Sequence, residues 1–287
     1  MTPIFFLCIP TNTDLLKAEL ASFKDKIKIS FNVPGFITCL CDESVLDDIL
    51  KNPPLLSLAM GRDAKRIQDQ APTIWIEHDV LKVSGNPHFI FKDKKDNLWQ
   101  ADCFHFEKLI ELIQLQLPEE APSRAWLKIA QAFKALNLDR SNYKHAIEIG
   151  SSPGGASYFL TGQNYQLTGI DPGEMSSTLL ANTNFKHIKK PVQDIIKSEL
   201  PKDIDLLAVD TNLSATQSVK ESLRIAAFYP KSLKEIFLTI KLPIPKLIPQ
   251  LENHKRAMRK LGFKVQYLQL PSHHREVLLY GKRVNNE

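Results

Sequence analysis

The chain has 287 residues, which is enough for two domains, and its 43% apolar and 24% charged residues are typical of a globular protein. No apolar run reaches the roughly 20 residues that a membrane span needs, and the N-terminus lacks the basic segment of a secretion signal. We therefore expect a cytoplasmic protein. A net charge of +5 is compatible with a polyanionic partner but does not require one.

The four cysteines lie within the first 103 residues. They form no C-x-x-C pair and have no histidines at metal-ligand spacing, so the sequence predicts no metal site. We expect buried free thiols, with Cys39 and Cys41 on the same face of one strand.

Residues 1–117 are predicted to form an α+β domain of ferredoxin-like type. The expected order is βαββαβ. Strands are predicted at residues 4–9, 27–31, 36–41 and 55–60, and helices from about residue 13 and at 43–50. Short strands at 73–76 and 89–91 around a charged hairpin turn at 92–96 should follow, and then a helix over 104–117. The proline-rich stretch 118–122 marks the domain boundary.

Residues 118–287 are predicted to form a Rossmann-like α/β domain with seven strands. A helix from Ser123 precedes an apolar strand from Ala146, and the last two strands should form a closing antiparallel hairpin. The other strands are predicted at 166–170, 185–188, 204–209, 235–240, 263–270 and 277–283.

The stretch AIEIGSSPGGASYFL, residues 146–160, has the pattern strand, glycine turn, helix. Such turns hold nucleotide-type ligands on free backbone N–H groups. The spacing G-x-x-x-G-G departs from the dinucleotide fingerprint G-x-G-x-x-G, and Pro153 removes a donor that a phosphate cradle would use. A ligand without phosphate, S-adenosylmethionine, fits better, although a tight turn without any ligand is the alternative.

Acidic residues follow the next two predicted strands. Asp171 follows Gly150 by 21 positions, the spacing expected of a carboxylate that binds a ribose diol. Asp194 is a candidate for contacting an adenine amino group, with a plain surface role as the alternative.

Charged residues also occupy the ends of further predicted elements. Asp210 and Lys241 each follow a buried strand, Lys128 lies on the helix that begins at Ser123, and Glu276 precedes the last strand. The carboxyl ends of strands in an open α/β sheet are where ligands bind.

In these features the chain resembles the FtsJ-type RNA ribose 2′-O-methyltransferases, and within them the RlmM family, which methylates a cytidine of 23S ribosomal RNA. The matching segments are residues 122–128, 150–155, 171–175, 209–210, 240–243 and 274–277. The resemblance implies a Lys-Asp-Lys-Glu tetrad made of Lys128, Asp210, Lys241 and Glu276, with Lys241 as proton acceptor. It requires no metal.

The resemblance also implies the residues that bind S-adenosylmethionine. They are Gly150, Ser152, Pro153, Gly154, Gly155, Asp171, Asp194 and Asp210.

The implied role of Lys241 sets a condition on its pKa. A lysine accepts a proton only when neutral, so its pKa must fall from about 10.4 toward 7 or 8. Burial and Lys128 favour this change, whereas Asp210 and Glu276 oppose it.

The resemblance further makes residues 1–117 a THUMP-related RNA-binding domain, with a scaffold role as the alternative. Ala125 stands where relatives often have serine, and residues 211–214, Thr-Asn-Leu-Ser, replace a loop that usually contains methionine and proline. Because of this altered loop, an RNA-binding protein that retains the cofactor pocket but has no turnover is an alternative function. A small-molecule methyltransferase is a third possibility, but it would have no use for the basic helix face at residues 255–260.

Overall fold

A computed structural model describes residues 1–284. The chain divides into two compact units. Unit 1 comprises Met1–Leu115, Pro243–Ile248 and Gln269–Arg275, and unit 2 comprises the remaining residues. The first division lies close to the predicted boundary, whereas the two later segments of unit 1 were not anticipated from the sequence.

Unit 1 contains an eight-stranded sheet in the order β2-β3-β1-β4-β8-β7-β5-β6. Its strands are β1 (Thr2–Leu7), β2 (Ile27–Val33), β3 (Phe36–Cys41), β4 (Ala59–Ile67), β5 (Ile74–Glu77), β6 (Val80–Val83), β7 (Ile90–Lys92) and β8 (Leu98–Phe104). Its helices are α1 (Thr13–Ala21), α2 (Glu43–Lys51) and α3 (Phe106–Ile113).

The first part of unit 1 has the order β1-α1-β2-β3-α2-β4. The fourth strand was predicted at residues 55–60, but it begins at Ala59. The carboxylate of Glu19 explains the difference, because it accepts the main-chain N–H groups of Leu55 and Leu56 at 2.7 and 3.0 Å and so holds these residues in a turn. β6 was not predicted, and β8 was anticipated only as a strand without bounds after the hairpin turn at residues 92–96.

The charged turn between β7 and β8 is stabilised by a buried side chain. Asp93, only 3% exposed, accepts hydrogen bonds from the Nδ2 group of Asn97 and from the indole N–H of Trp99 at 3.2 Å. The turn is a hairpin tip, as predicted, but a buried carboxylate fixes it. Trp99 then packs on Phe36 within an aromatic core.

Unit 2 contains a seven-stranded sheet in the order β11-β10-β9-β12-β13-β15-β14. Its strands are β9 (His145–Ile149), β10 (Gln166–Ile170), β11 (Phe185–Ile188), β12 (Leu206–Val209), β13 (Glu235–Lys241), β14 (Phe263–Leu268) and β15 (Glu276–Arg283). Its helices are α4 (Ala125–Leu136), α5 (Gly155–Gly162), α6 (Ser177–Leu180), α7 (Ala215–Ala226) and α8 (Leu251–Arg259).

β9 to β13 pair in parallel, and β15 runs antiparallel to both β13 and β14. β12 is buried along its whole length, which explains its continuous apolar sequence. The carboxyl ends of β9, β10, β12 and β13 therefore lie at the same edge of the sheet.

The cysteines are free thiols, and Cys8, Cys39 and Cys41 are buried. Burial raises the pKa of the Cys8 thiol to about 12, so it is not a thiolate at neutral pH. Within residues 1–284, no helix is long and apolar enough to cross a membrane, and His, Cys, Asp and Glu form no group that could hold a metal ion.

β9 carries an acid inside the sheet. Glu148 is 2% exposed, and its carboxylate accepts the hydroxyl of Ser157 at 2.5 Å. Burial raises the pKa of Glu148 from 4.5 to about 8; the Ser157 hydrogen bond opposes this shift, and the charges of Asp210 and Asp171 add to it. The folded protein therefore keeps this group protonated at neutral pH.

The pKa of Glu148 predicts a pH dependence of stability. Between pH 4.5 and about 8 the folded state binds a proton that the unfolded state has lost, so this group's contribution to stability falls as the pH rises, by up to about 1.4 kcal/mol per pH unit. Glu148→Gln mimics the protonated acid and should remove this decline. Melting temperatures of both proteins from pH 5 to 9 test it, because their difference cancels the other titrating groups. Parallel curves would contradict the assignment.

Candidate active site

Four charged side chains meet in unit 2, each supplied by a different element. Lys128 projects from α4, Asp210 directly follows β12, Lys241 ends β13, and Glu276 begins β15. Lys241 and Glu276 are paired residues of the antiparallel β13–β15 ladder, so their side chains lie on the same face. The structure thus brings together all four residues of the predicted tetrad.

The four side chains form a closed ring of alternating charge. Lys128 Nζ lies 2.8 Å from Asp210 Oδ2 and 2.6 Å from Glu276 Oε1. Lys241 Nζ lies 3.1 Å from Asp210 Oδ1 and 2.6 Å from Glu276 Oε2. Each carboxylate therefore binds both ammonium groups, one through each oxygen.

The ring is partly shielded from water. The Glu276 side chain is 4% exposed, whereas that of Lys241 is 31% exposed. Glu276 is thus the buried anchor, and Lys241 is the member most accessible to a substrate.

The ring stabilises the charged states of Asp210 and Lys241. Burial alone would raise the pKa of Asp210, but the neighbouring ammonium groups of Lys128 and Lys241 outweigh it and lower that pKa. Burial alone would lower the pKa of Lys241, but Asp210 and Glu276 outweigh it and raise that pKa. Of the two opposing effects recognised in the sequence, the carboxylates therefore prevail in this structure.

A cavity of about 320 Å³ lies at the carboxyl edge of the same sheet. Its lining residues come from β9, β10 and the loops that follow β9, β10, β11 and β12. They are Ile149, Gly150, Ser152, Ile170, Asp171, Pro172, Pro191, Val192, Gln193, Asp210, Thr211, Asn212 and Leu213. Asp210 belongs both to this lining and to the ring of charges.

Asp171 is held by the backbone around the cavity. Its Oδ1 accepts the N–H of Gly173 at 2.7 Å and its Oδ2 accepts the N–H of Ser152 at 3.2 Å. These bonds fix the plane of the carboxylate, while each oxygen keeps a lone pair for a ligand. The geometry suits the predicted contact with a ribose diol.

The glycine loop contributes less to the cavity than its sequence suggested. Gly150 and Ser152 line it, but Pro153, Gly154 and Gly155 are not among the lining residues. A Cβ on Gly155 would stand 2.6 Å from the carbonyl oxygen of Ser123, so this glycine permits close packing against the start of α4. The prediction that these three residues contact the cofactor is not supported by the cavity.

Asp194, predicted to contact an adenine amino group, also lies outside the cavity lining. Asp194 is exposed and is not among the residues that line the cavity, whereas its neighbour Gln193 is. A short 3₁₀ turn, Val192–Asp194, turns the chain here, and this turn could not be anticipated from the weak strand signal before it. Gln193, Thr211 and Asn212 were missed, and their position in loops after strands was the available signal.

Gly150 allows the loop after β9 to pack closely against Asp210. With φ at +81°, it adopts a conformation that favours glycine, and a Cβ here would lie 2.2 Å from the carbonyl oxygen of Asp210. The absence of a side chain therefore lets the loop after β9 lie against the residue shared by the cavity and the ring.

We predict that Gly150→Ala destabilises the fold by roughly 3 kcal/mol, because it combines a backbone clash with an unfavourable φ. Gly162→Ala is the matched control, since a Cβ at that helical position meets nothing within 4 Å. It should be neutral or stabilising by about 0.5 kcal/mol. Urea unfolding of both variants measures the difference, and equal stabilities would refute the proposed role of Gly150.

The chain is similar in sequence to proteins named as ribosomal RNA methyltransferases. The chain is 27% identical over 209 residues to the ribosomal RNA large subunit methyltransferase M of Marinomonas sp. (strain MWYL1), an alignment that covers 68% of this chain and 55% of the relative. It is 28% identical over 222 residues to the protein of the same name from Histophilus somni (strain 129Pt), covering 69% and 58%. The chain thus spans a little over half the length of these relatives.

Among solved structures, a 1,6-didemethyltoxoflavin-N1-methyltransferase from Burkholderia thailandensis matches with a TM-score of 0.40 and 17% identity, covering 58% of this chain and 80% of that one. A TM-score this low carries no argument about function. The FtsJ-like methyltransferase model matches residues 121–275, more than half of the 287 residues. The chain therefore belongs to the FtsJ-like methyltransferase family, whose methyl donor is S-adenosylmethionine.

Proposed function

We propose that this protein methylates a ribose 2′-hydroxyl of RNA, with a cytidine of 23S ribosomal RNA as the target. The observation that carries the proposal is the closed ring of Lys128, Asp210, Lys241 and Glu276 beside the cavity. The relatives named as ribosomal RNA large subunit methyltransferases support the choice of substrate.

The residues of the cavity fit S-adenosylmethionine. The lining holds two carboxylates, Asp171 and Asp210, and no lysine or arginine. That charge suits a ligand with a sulfonium and a ribose diol, and it disfavours a phosphate. A volume of about 320 Å³ lies within the usual range for small-ligand sites. We assign the ribose hydroxyls to Asp171 and the sulfonium side to Asp210.

When bound, the cofactor supplies a methyl group on a positively charged sulfur. Transfer of that methyl group to the ribose 2′-oxygen would leave the electron pair of the broken bond on the cofactor, and the hydroxyl proton would pass to a base on the protein. Lys241 is the most exposed cation of the ring and is our candidate for that base.

The charge state of Lys241 sets a condition on this role. Asp210 and Glu276 raise its pKa, so Lys241 is an ammonium group in the structure described here. It must release a proton before it can accept one. A cation beside Asp210 and the exclusion of water by RNA would both lower the pKa of Lys241. We infer that the catalytically competent state forms only in the ternary complex.

The alternative of an RNA-binding protein without turnover has less support. It was motivated by the altered loop after Asp210, and Thr211, Asn212 and Leu213 of that loop do line the cavity. The ring nevertheless contains all four charged residues of the proposed tetrad, in mutual contact. Cofactor binding without any methyl transfer to RNA would restore this alternative.

We predict that Lys241→Arg and Lys241→Ala each lose at least about 100-fold in kcat, because neither side chain can accept the proton. The assay measures transfer of tritiated methyl groups to deproteinised 23S RNA and identifies the methylated nucleoside after digestion. In the unmodified protein, kcat should rise with pH, and Lys241→Arg should abolish that rise. Lys264→Ala, an exposed lysine of β14, is the matched control and should keep full activity. Full activity in Lys241→Ala would exclude this residue as the base.

We also propose that the N-terminal unit is a THUMP-related domain that binds RNA. Its β1-α1-β2-β3-α2-β4 order with sheet order β2-β3-β1-β4 supports a ferredoxin-like relationship. The exposed guanidinium of Arg66 lies 5.5 Å from the ring centroid of Phe31 and 5.0 Å from that of Trp99. A cation on aromatic rings is a suitable contact for a nucleic acid.

If Arg66 contacts RNA, Arg66→Ala should weaken RNA binding about tenfold at moderate salt and lower the salt slope by about one. Filter binding of 23S RNA at several salt concentrations measures both quantities. Lys51→Ala, which removes an exposed cation at the end of α2, is the control. Unchanged affinity in Arg66→Ala would favour the scaffold role for this surface.

A further inference from the structure

Two segments of unit 1 are directly connected to the strand ends that carry the tetrad. Pro243–Ile248 follows two residues after Lys241, and Gln269–Arg275 ends at the residue before Glu276. The chain therefore leaves unit 2 just after one tetrad residue and returns to it at another.

Arg275 joins these segments to the N-terminal part of unit 1. Its Nη1 donates to the carbonyl oxygen of Thr11 at 3.0 Å and to Asp14 Oδ1 at 2.5 Å. Its Nη2 donates to the carbonyl oxygen of Pro243 at 2.5 Å. One guanidinium thus binds the chain that follows Lys241 and the loop that precedes α1.

Asn12 fixes the backbone of the same turn. This residue is fully buried, its Oδ1 accepts the N–H of Arg275 at 2.7 Å, and its Nδ2 donates to the carbonyl oxygen of His273 at 3.2 Å. Arg275 has φ at +55°, a left-handed conformation that arginine seldom adopts. The surrounding hydrogen bonds stabilise a backbone conformation at Arg275 that the local sequence would not favour.

The hydrogen bonds of Arg275 lie next to Lys241 and Glu276, the two tetrad residues that are paired in the sheet. Lys241 and Glu276 are the last register pair of the β13–β15 ladder, and the bond from Arg275 to Pro243 closes the two chains immediately beyond this pair. The guanidinium therefore links the two chains directly beyond the end of the ladder.

We propose that Arg275, held by Asn12, is a positioning residue that sets the contact between Lys241 and Glu276. This inference rests on the proposed function of the tetrad and extends that function. If it holds, the charge state of Lys241 depends on residues 11–14. The ionisable groups that contact Lys241 are Asp210 and Glu276, and Lys128 shares both carboxylates. Loosening Glu276 should therefore lower the pKa of Lys241.

Arg283 offers a matched control at the other end of the same strand. It donates to the carbonyl oxygens of Leu233 and Leu261 at 2.6 and 2.9 Å, so it also ties main-chain segments together. A loss of general stability should appear in both Arg275→Ala and Arg283→Ala. A change at the tetrad should appear only in Arg275→Ala.

The first experiment titrates the Lys241 Nζ signal by NMR in ¹⁵N-lysine-labelled full-length protein, with assignment by Lys241→Arg. We expect Arg275→Ala to lower the Lys241 pKa by about one unit, Arg275→Lys to lower it less, and Arg283→Ala to leave it unchanged. In the Glu276→Gln background, Arg275→Ala should add no further shift, because the carboxylate it positions is gone. Arg275→Lys keeps the test valid if Arg275→Ala does not fold.

The second experiment measures methyl transfer to 23S RNA and binding of S-adenosylhomocysteine by calorimetry. Arg275→Ala should lower the maximal kcat reached at high pH at least tenfold, because Lys241 is misplaced, and it should shift the rise of the pH–rate profile to lower pH, with unchanged affinity for S-adenosylhomocysteine. Unchanged Lys241 titration in Arg275→Ala would overturn the proposal, as would equal effects of Arg283→Ala. If the unmodified protein transfers no methyl group, the proposed function fails, but the titration still decides the role of Arg275.

Discussion

The interaction on which the site depends is the ring of two ammonium groups and two carboxylates. Partly buried charges are costly unless each is paired, so the ring is stable only when α4, β12, β13 and β15 place all four side chains correctly. Because each carboxylate contacts both lysines, displacing one element disturbs every contact in the ring. The sheet meets much of this demand, because β12 and β13 end, and the antiparallel β15 begins, at the same edge.

Asp210 connects this ring to the cofactor cavity, and its position depends on a residue without a side chain. The loop after β9 lies so close to the carbonyl oxygen of Asp210 that only glycine fits at position 150. The glycine-rich segment therefore works through packing as much as through ligand contact. Gly155 has a similar role against Ser123 at the start of α4. The cavity and the ring of charges are thus parts of one packed arrangement.

The structure also changes the interpretation of Lys241, the proposed proton acceptor. Burial and neighbouring cations would help to neutralise Lys241, but the two carboxylates that hold it in place keep it charged. For the proposed role of Lys241, positioning and activation therefore oppose each other. Arg275 and Asn12 hold the chain directly before Glu276 through hydrogen bonds, which is why we propose that they affect this balance.

The sequence alone determined the order of elements in the second half and the charged residues at their ends, because buried strands and the residues that terminate them are encoded locally. Asp171 and the tetrad followed from spacing and family resemblance. The tertiary structure decided the closed ring, the packing role of Gly155, the place of Gln193 instead of Asp194, and the charge of Lys241. Each of these depends on contacts between residues distant in the chain, such as Lys128 and Asp210, whose distance no local pattern specifies.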